Sequence, residues 1–103
     1  MLIGKIVGTL VSTRKDEKIE GLKFYVVKQV DIEGRETGAY VVAADAVGAG
    51  VGELILYAVG SSARQTVLTD RRPIDAVVMA IVDTWEVGGV VKYQKYPEGS
   101  EVA

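Results

Sequence analysis

Ala44-Asp45-Ala46-Val47-Gly48-Ala49-Gly50-Val51-Gly52-Glu53 sets three of the chain's 12 glycines on alternate positions, and the runs on either side of it decide the fold. Before it lies Ala39-Tyr40-Val41-Val42-Ala43-Ala44, and after it Leu54-Ile55-Leu56-Tyr57-Ala58-Val59. Both are short, apolar and rich in β-branched or aromatic side chains, the signature of strands rather than helices. A glycine loop that cradles a nucleotide phosphate opens onto a helix and carries its third glycine, or a lysine, at a fixed offset. Counted from Gly48 that third position is Glu53, counted from Gly50 it is Ile55, and no Gly-Lys-Ser/Thr follows. Phosphate binding is therefore disfavoured. Glycine serves where φ must be positive or where another backbone comes too near for a Cβ. A plain tight turn needs one or two glycines, so three point to the close approach of a neighbouring chain.

Working outward, Leu2 to Val11 alternates Leu2, Gly4, Ile6, Gly8 and Leu10 against Ile3, Lys5, Val7, Thr9 and Val11. This predicts a strand with one glycine-thinned face, over which something large lies at Gly4 and Gly8. Ser12 to Gly21, with Thr13-Arg14-Lys15-Asp16-Glu17-Lys18, is an expected exposed, solvated loop. Lys23 to Val30 is a second strand with both faces partly buried. Asp31 to Gly38 carries hairpin-turn chemistry, Ala39 to Ala44 returns as the third strand, and Leu54 to Val59 makes the fourth. At Gly60-Ser61-Ser62-Ala63-Arg64-Gln65 the alternation stops, and a serine cap predicts a single helical turn. Thr69 to Pro73 is a polar connection, and Ala76 to Val82 is too β-branched to favour helix, which makes it a buried fifth strand. Val87-Gly88-Gly89-Val90 signals a two-residue hairpin, after which Val91 to Tyr96 forms a sixth strand ending at Pro97.

The expectation is an all-β chain: a small OB-like, partly closed Greek-key β-barrel with one short helical turn, occupying residues 1–97 as a single domain, followed by a frayed tail at 98–103. A chain of 103 residues with 2 prolines has room for one core, yet 49% of its residues are apolar. That is more than a lone small domain needs, because most of its surface faces water. Part of that surface is expected to meet another copy.

A net charge of −2 supplies no broad positive field for DNA or RNA. Lys92, Tyr93, Lys95 and Tyr96 are the local exception, able to stack and neutralise a single strand, and an OB-like nucleic-acid-binding module is the alternative function. The plainer reading makes these lysines guards of a terminal strand against edge-to-edge pairing. With no cysteine and no histidine, the chain lacks disulfides, zinc-thiolate sites and the usual neutral-pH proton carrier. Ser61 or Ser62 would need a distant base to act as a nucleophile. An enzyme is the least favoured class, and no cofactor or metal is expected. No apolar run reaches membrane-spanning length, and Met1-Leu2-Ile3-Gly4-Lys5 lacks the basic start of a signal peptide. A soluble, cytoplasmic protein without membrane partners is expected.

Several motifs in register carry a resemblance. Gly4-Lys5-Ile6-Val7-Gly8, Glu20-Gly21, the segment Asp45 to Glu53, Gly60-Ser61-Ser62-Ala63-Arg64, Pro73-Ile74-Asp75-Ala76 and Ile81-Val82-Asp83 are together similar to the EutN/CcmL family. These are pentameric vertex proteins of bacterial microcompartments, carboxysomes included. The resemblance implies an OB-like barrel assembled as a homopentamer, capping the five-fold corners of a shell otherwise tiled by hexagonal shell proteins. It implies that Gly48, Ala49, Gly50, Val51, Gly52 and Glu53 lie near the subunit interface and a narrow pore. In that setting Glu53 is either held by N–H groups or a basic neighbour across the interface, or is a solvated carboxylate at a strand start. Ser61, Ser62, Ala63 and Arg64 form a turn at a subunit or shell contact, with Ser61 capping and Arg64 bonding carbonyls or a carboxylate. Ile81, Val82 and Asp83 stand near the shell-facing edge, although the apolar pair serves a core equally well. Trp85 just beyond anchors a contact or covers a core. Whether the shell is a carboxysome or a catabolic compartment is set by cargo and stays open.

Overall fold

In a computed structural model that describes residues 1–96, these alternating runs become seven strands: β1 (Leu2–Leu10), β2 (Phe24–Val30), β3 (Glu36–Asp45), β4 (Leu54–Val59), β5 (Ala76–Ile81), β6 (Thr84–Val87) and β7 (Val90–Gln94). The first five close on themselves in the order β1-β2-β3-β5-β4. Four of the seams are antiparallel, and a short parallel contact of Ala44 and Asp45 with Val77 and Val78 completes the ring. The barrel is thus the expected small Greek key, built from five strands and closed rather than partly open, with β3 meeting β5 only at Ala44 and Asp45.

Inward positions on each strand supply the core. Ile6, Tyr25, Val27, Ala43, Ile55, Tyr57 and Val78 pack together inside, with Leu2, Val41 and Ile81 at the ends. Gly4 is the thin spot that admits two of them. A Cβ there would lie 2.5 Å from Val27 Cγ1, 2.9 Å from Tyr57 Cε1 and 3.1 Å from the Lys28 carbonyl oxygen. The large neighbour expected over Gly8 is absent, since its nearest contact is Val26 Cβ at 3.8 Å. The reason is a bulge between Ile6 and Gly8, which slips the register so that Gly8 pairs with Val26 instead of a core position. One extra residue reverses the alternation beyond it and turns Leu10 outward, where it pairs with Phe24.

A second apolar layer lies on the outside of the barrel. Ala44, Ala58 and Val77 face out beneath Ala63 and Ile74, with Ile19, Leu22, Phe24 and Met79 around them. This explains why β5 reads as an unbroken apolar run: Val78 points into the barrel and Val77 into the outer layer.

Three expectations need correction. Among the described residues two 3-10 turns are present instead of one, at Glu17–Ile19 and Gly60–Arg64; the first forms because Asp16 accepts from the Lys18 N–H within the exposed charged loop. β3 begins at Glu36, three residues early, because the hairpin with β2 continues to the pair Val30–Glu36 across a second irregularity. Thr84–Val87 is a strand in its own right, pairing with β7 in a separate two-stranded sheet. Its four residues alternate polar and apolar, but a run that short does not stand out as a strand from sequence alone. The Gly88-Gly89 turn itself is as expected, both residues having positive φ, 58° and 82°. The strand end at Pro97 and the tail at 98–103 lie outside the described residues.

Candidate assembly surface: the glycine loop and the two ends of β4 and β5

The loop between β3 and β4 is held by its own chain at nearly every step. Asp45, buried at the end of β3, accepts through Oδ1 from Val47 N (3.1 Å) and Ala49 N (3.3 Å), an Asx turn that starts the bend. Ala49 is tucked into the barrel mouth, where the Tyr25 hydroxyl donates to its carbonyl at 2.6 Å. Gly52 N then donates to Ile6 O (2.8 Å) and Ile6 N to Glu53 O (3.0 Å), which fastens the far side of the loop to β1.

The turn itself requires two of the three glycines that the sequence reading ascribes to the approach of a neighbouring chain. Gly48 and Gly52 have φ of 75° and 94°, a left-handed conformation that the turn demands whether or not a partner is present. At both, the space where a Cβ would stand has nothing of the same chain within 4 Å. Gly50 has ordinary φ, and a Cβ there would meet Glu53 Oε1 at 3.5 Å.

Glu53 is held by a backbone N–H, as one of the two expectations has it, and its basic neighbour comes from the same chain. Its Oε1 accepts from Gly50 N at 2.7 Å and its Oε2 pairs with Lys95 Nζ at 2.6 Å. The hydrogen bond from Lys95 holds the Glu53 carboxyl below its ordinary 4.5, outweighing partial burial, which pushes it up; the Gly50 N–H adds to the lowering. In return the hydrogen bond to Glu53 raises the Lys95 ammonium above its ordinary 10.5, against the opposing pull of desolvation. Lys95 N also donates to Asp83 O at 2.7 Å, and Val82 N to Leu54 O at 2.8 Å. Residues 81–83 therefore join the Glu53 end of the loop, directly through Val82 and through Lys95, which bonds both Asp83 and Glu53.

Gly60 to Arg64 lies elsewhere. β4 and β5 run antiparallel, with Ile55 opposite Ile81 and Val59 opposite Ala76, so residues 60–64 sit at the opposite end of the pair, roughly 20 Å away for six strand residues. The two motifs read as one kind of contact occupy opposite ends of the barrel wall. The serine cap is also corrected: Val59 is the capping position, without a side-chain bond, and Ser62 Oγ instead donates back to Val59 O at 2.7 Å. Ala63 is buried as the turn's anchor in the outer layer. Arg64 does bond a carbonyl, donating from Nη1 to Ile74 O at 3.2 Å.

The terminal hairpin of β6 and β7 answers the question of Trp85 and of the basic-aromatic cluster. Trp85 Nε1 donates to Ile32 O at 3.0 Å and its ring stacks on Tyr93 with centroids 5.6 Å apart. Lys92 pairs with Glu33 at 2.5 Å, and Lys95 with Glu53. Of the groups a single strand of nucleic acid would need, Lys92, Tyr93 and Lys95 are committed to the chain's own residues, while Tyr96 stays exposed. Sequence reasoning missed Lys95 as the partner of Glu53, because a pair 42 residues apart leaves no local trace. It also missed Asp45 and Tyr25 as holders of the loop, although an aspartate at a strand end before a glycine loop is an Asx-turn signal.

Comparison with known proteins places this geometry. The family model described as ethanolamine utilisation protein EutN/carboxysome matches residues 1–83. The carboxysome shell vertex protein CcmL of Gloeobacter violaceus is 43% identical over 95 residues, covering 92% of this chain and 95% of the relative. Its solved structure superimposes with a TM-score of 0.88 over 92% of this chain and 98% of that one. The pentameric microcompartment shell protein GrpN of Rhodospirillum rubrum superimposes with a TM-score of 0.78 at 44% identity, covering 84% and 99%.

Proposed function

The chain belongs to the EutN/CcmL family of microcompartment shell vertex proteins, and from that membership we propose that it is a structural, non-enzymatic homopentamer that closes a microcompartment shell by occupying its corners. The observation that carries this reading is likeness over 84% of the chain to a shell protein that is itself pentameric. Five copies around an axis supply the curvature that hexagonal tiling lacks, and hexagonal shell proteins are its neighbours.

Residues 1–97 act as one building unit. The loop Gly48 to Glu53, with Ile81 to Asp83 beside it, lies at the subunit interface around the pore. Val47 and Val51, exposed on and beside the same loop, supply apolar surface for such a contact. Gly60 to Arg64, at the other end of β4 and β5, faces outward toward the shell. The apolar excess has a destination as well: Leu10, Val11, Ile19, Leu22, Phe24 and Val42 line an exposed groove that a lone barrel leaves in water.

Co-expression with hexagonal shell proteins tests the proposal by electron microscopy. Closed particles are expected when this chain is present and open sheets or tubes when it is omitted. Equal yields of closed particles with and without it would refute the function.

A further inference from the structure

Lys18, Arg64, Arg71 and Arg72 line one open depression beside Pro73. It gathers three of the five arginines of a chain whose net charge is −2. Elsewhere four cations are neutralised, Lys28 by Glu36, Arg35 by Asp31, Lys92 by Glu33 and Lys95 by Glu53, while Lys5, Arg14, Lys15 and Lys23 make no ion pair among the described residues. Among the described residues none of the four cations here has a carboxylate within ion-pairing distance, although Glu17, Glu20, Asp70 and Asp75 are close in sequence. The arginines are oriented instead by neutral carbonyls. Arg72 Nη1 donates to Glu20 O at 2.8 Å and Arg64 Nη1 to Ile74 O at 3.2 Å, which fixes each guanidinium and leaves its charge uncompensated.

Arg71 adds a second, independent mark. Its φ of 59° makes it the one non-glycine residue in the left-handed region among those described, at a position where glycine or asparagine would sit without strain. The same connection presents an apolar tip. Thr69, fully buried, bonds Ala63 O at 2.7 Å and Thr66 Oγ1 at 2.6 Å, pinning a turn that holds Val67 98% and Leu68 48% exposed.

Arginines with unspent fork geometry beside exposed aliphatic side chains are the composition of a protein contact. A small oxyanion would call for an enclosed site with backbone N–H groups aimed into it, and this depression is open. We propose that the Lys18–Arg64–Arg71–Arg72 surface, with Val67 and Leu68 on the adjoining turn, docks a carboxylate-bearing edge of a neighbouring shell protein. This rests on the vertex reading and names the chemistry that the outward face recognises.

Arg71→Glu and Lys18→Glu test it, since neither side chain makes a hydrogen bond or ion pair within the described chain. Each full-length variant is co-expressed with a tagged hexagonal shell protein, and its retention on the tag is compared with that of the unaltered chain at about 0.05 M and about 0.5 M salt. Both variants are expected to keep the unaltered chain's oligomeric mass and to lose retention about tenfold or more, and salt to weaken the unaltered chain's retention. Undiminished retention of both variants, with the unaltered chain retained, overturns this inference alone. Failure of the unaltered chain to be retained at either salt overturns the vertex reading, and this inference with it.

Discussion

At the scale of single residues, Gly4 and Glu53 carry the sharpest consequences. Gly4→Ala drives a methyl group against a backbone carbonyl as well as two side chains, and carbonyls cannot turn aside. Urea unfolding is expected to show a loss of about 1–3 kcal/mol, whereas Gly8→Ala, with only an ordinary 3.8 Å contact, changes stability little. For Glu53 the sign follows from its lowered value: the stabilisation is complete above the ordinary 4.5 and is lost as pH falls through the lower folded value. Lys95 sets the opposite limb, its share present below 10.5 and lost as pH rises through the raised folded value. Glu53→Gln is therefore expected to lower the urea midpoint between these limits, with the difference from the unaltered chain vanishing in acid. A difference that stays constant from about pH 2 to about pH 7, a range that spans the ordinary 4.5, would contradict the pairing. Gly4 was legible because alternation alone puts it on the core face. Glu53's partner was not, because long-range ion pairs depend on where the fold brings a distant strand.

Elements divide the same way. The five barrel strands were readable from period-two alternation and β-branched runs, and Leu54–Val59 was placed to the residue. What escaped was set by pairing and not by local pattern: the bulge at Val7, which reverses the outer half of β1, and the short β6, which exists because β7 and the loop after β2 receive it. Trp85 is the hinge pin of that hairpin. Trp85→Ala removes the indole bond to Ile32 and the stack on Tyr93 together. Amide exchange of β6 and β7 is expected to rise by about tenfold or more while the barrel strands keep their protection, because the hairpin shares no ladder with them. Exchange rising equally through β1 to β5 would show instead that the hairpin supports the barrel.

For the whole molecule, closure of the barrel and apolar excess at its surface pull in different directions, and assembly reconciles them. The five barrel strands close on one another, yet the chain leaves Val51, Val59 and Val67 exposed along with the groove beside Phe24. Gly50→Leu tests where copies meet: within the chain its nearest obstacle is a flexible carboxylate at 3.5 Å, so the fold is expected to survive while dilution dissociates the assembly sooner. The most direct measurement is native mass spectrometry of the full chain. A homopentamer of 11.0 kDa subunits predicts a dominant species of about 55 kDa. A stable single-chain species at micromolar concentration would contradict it.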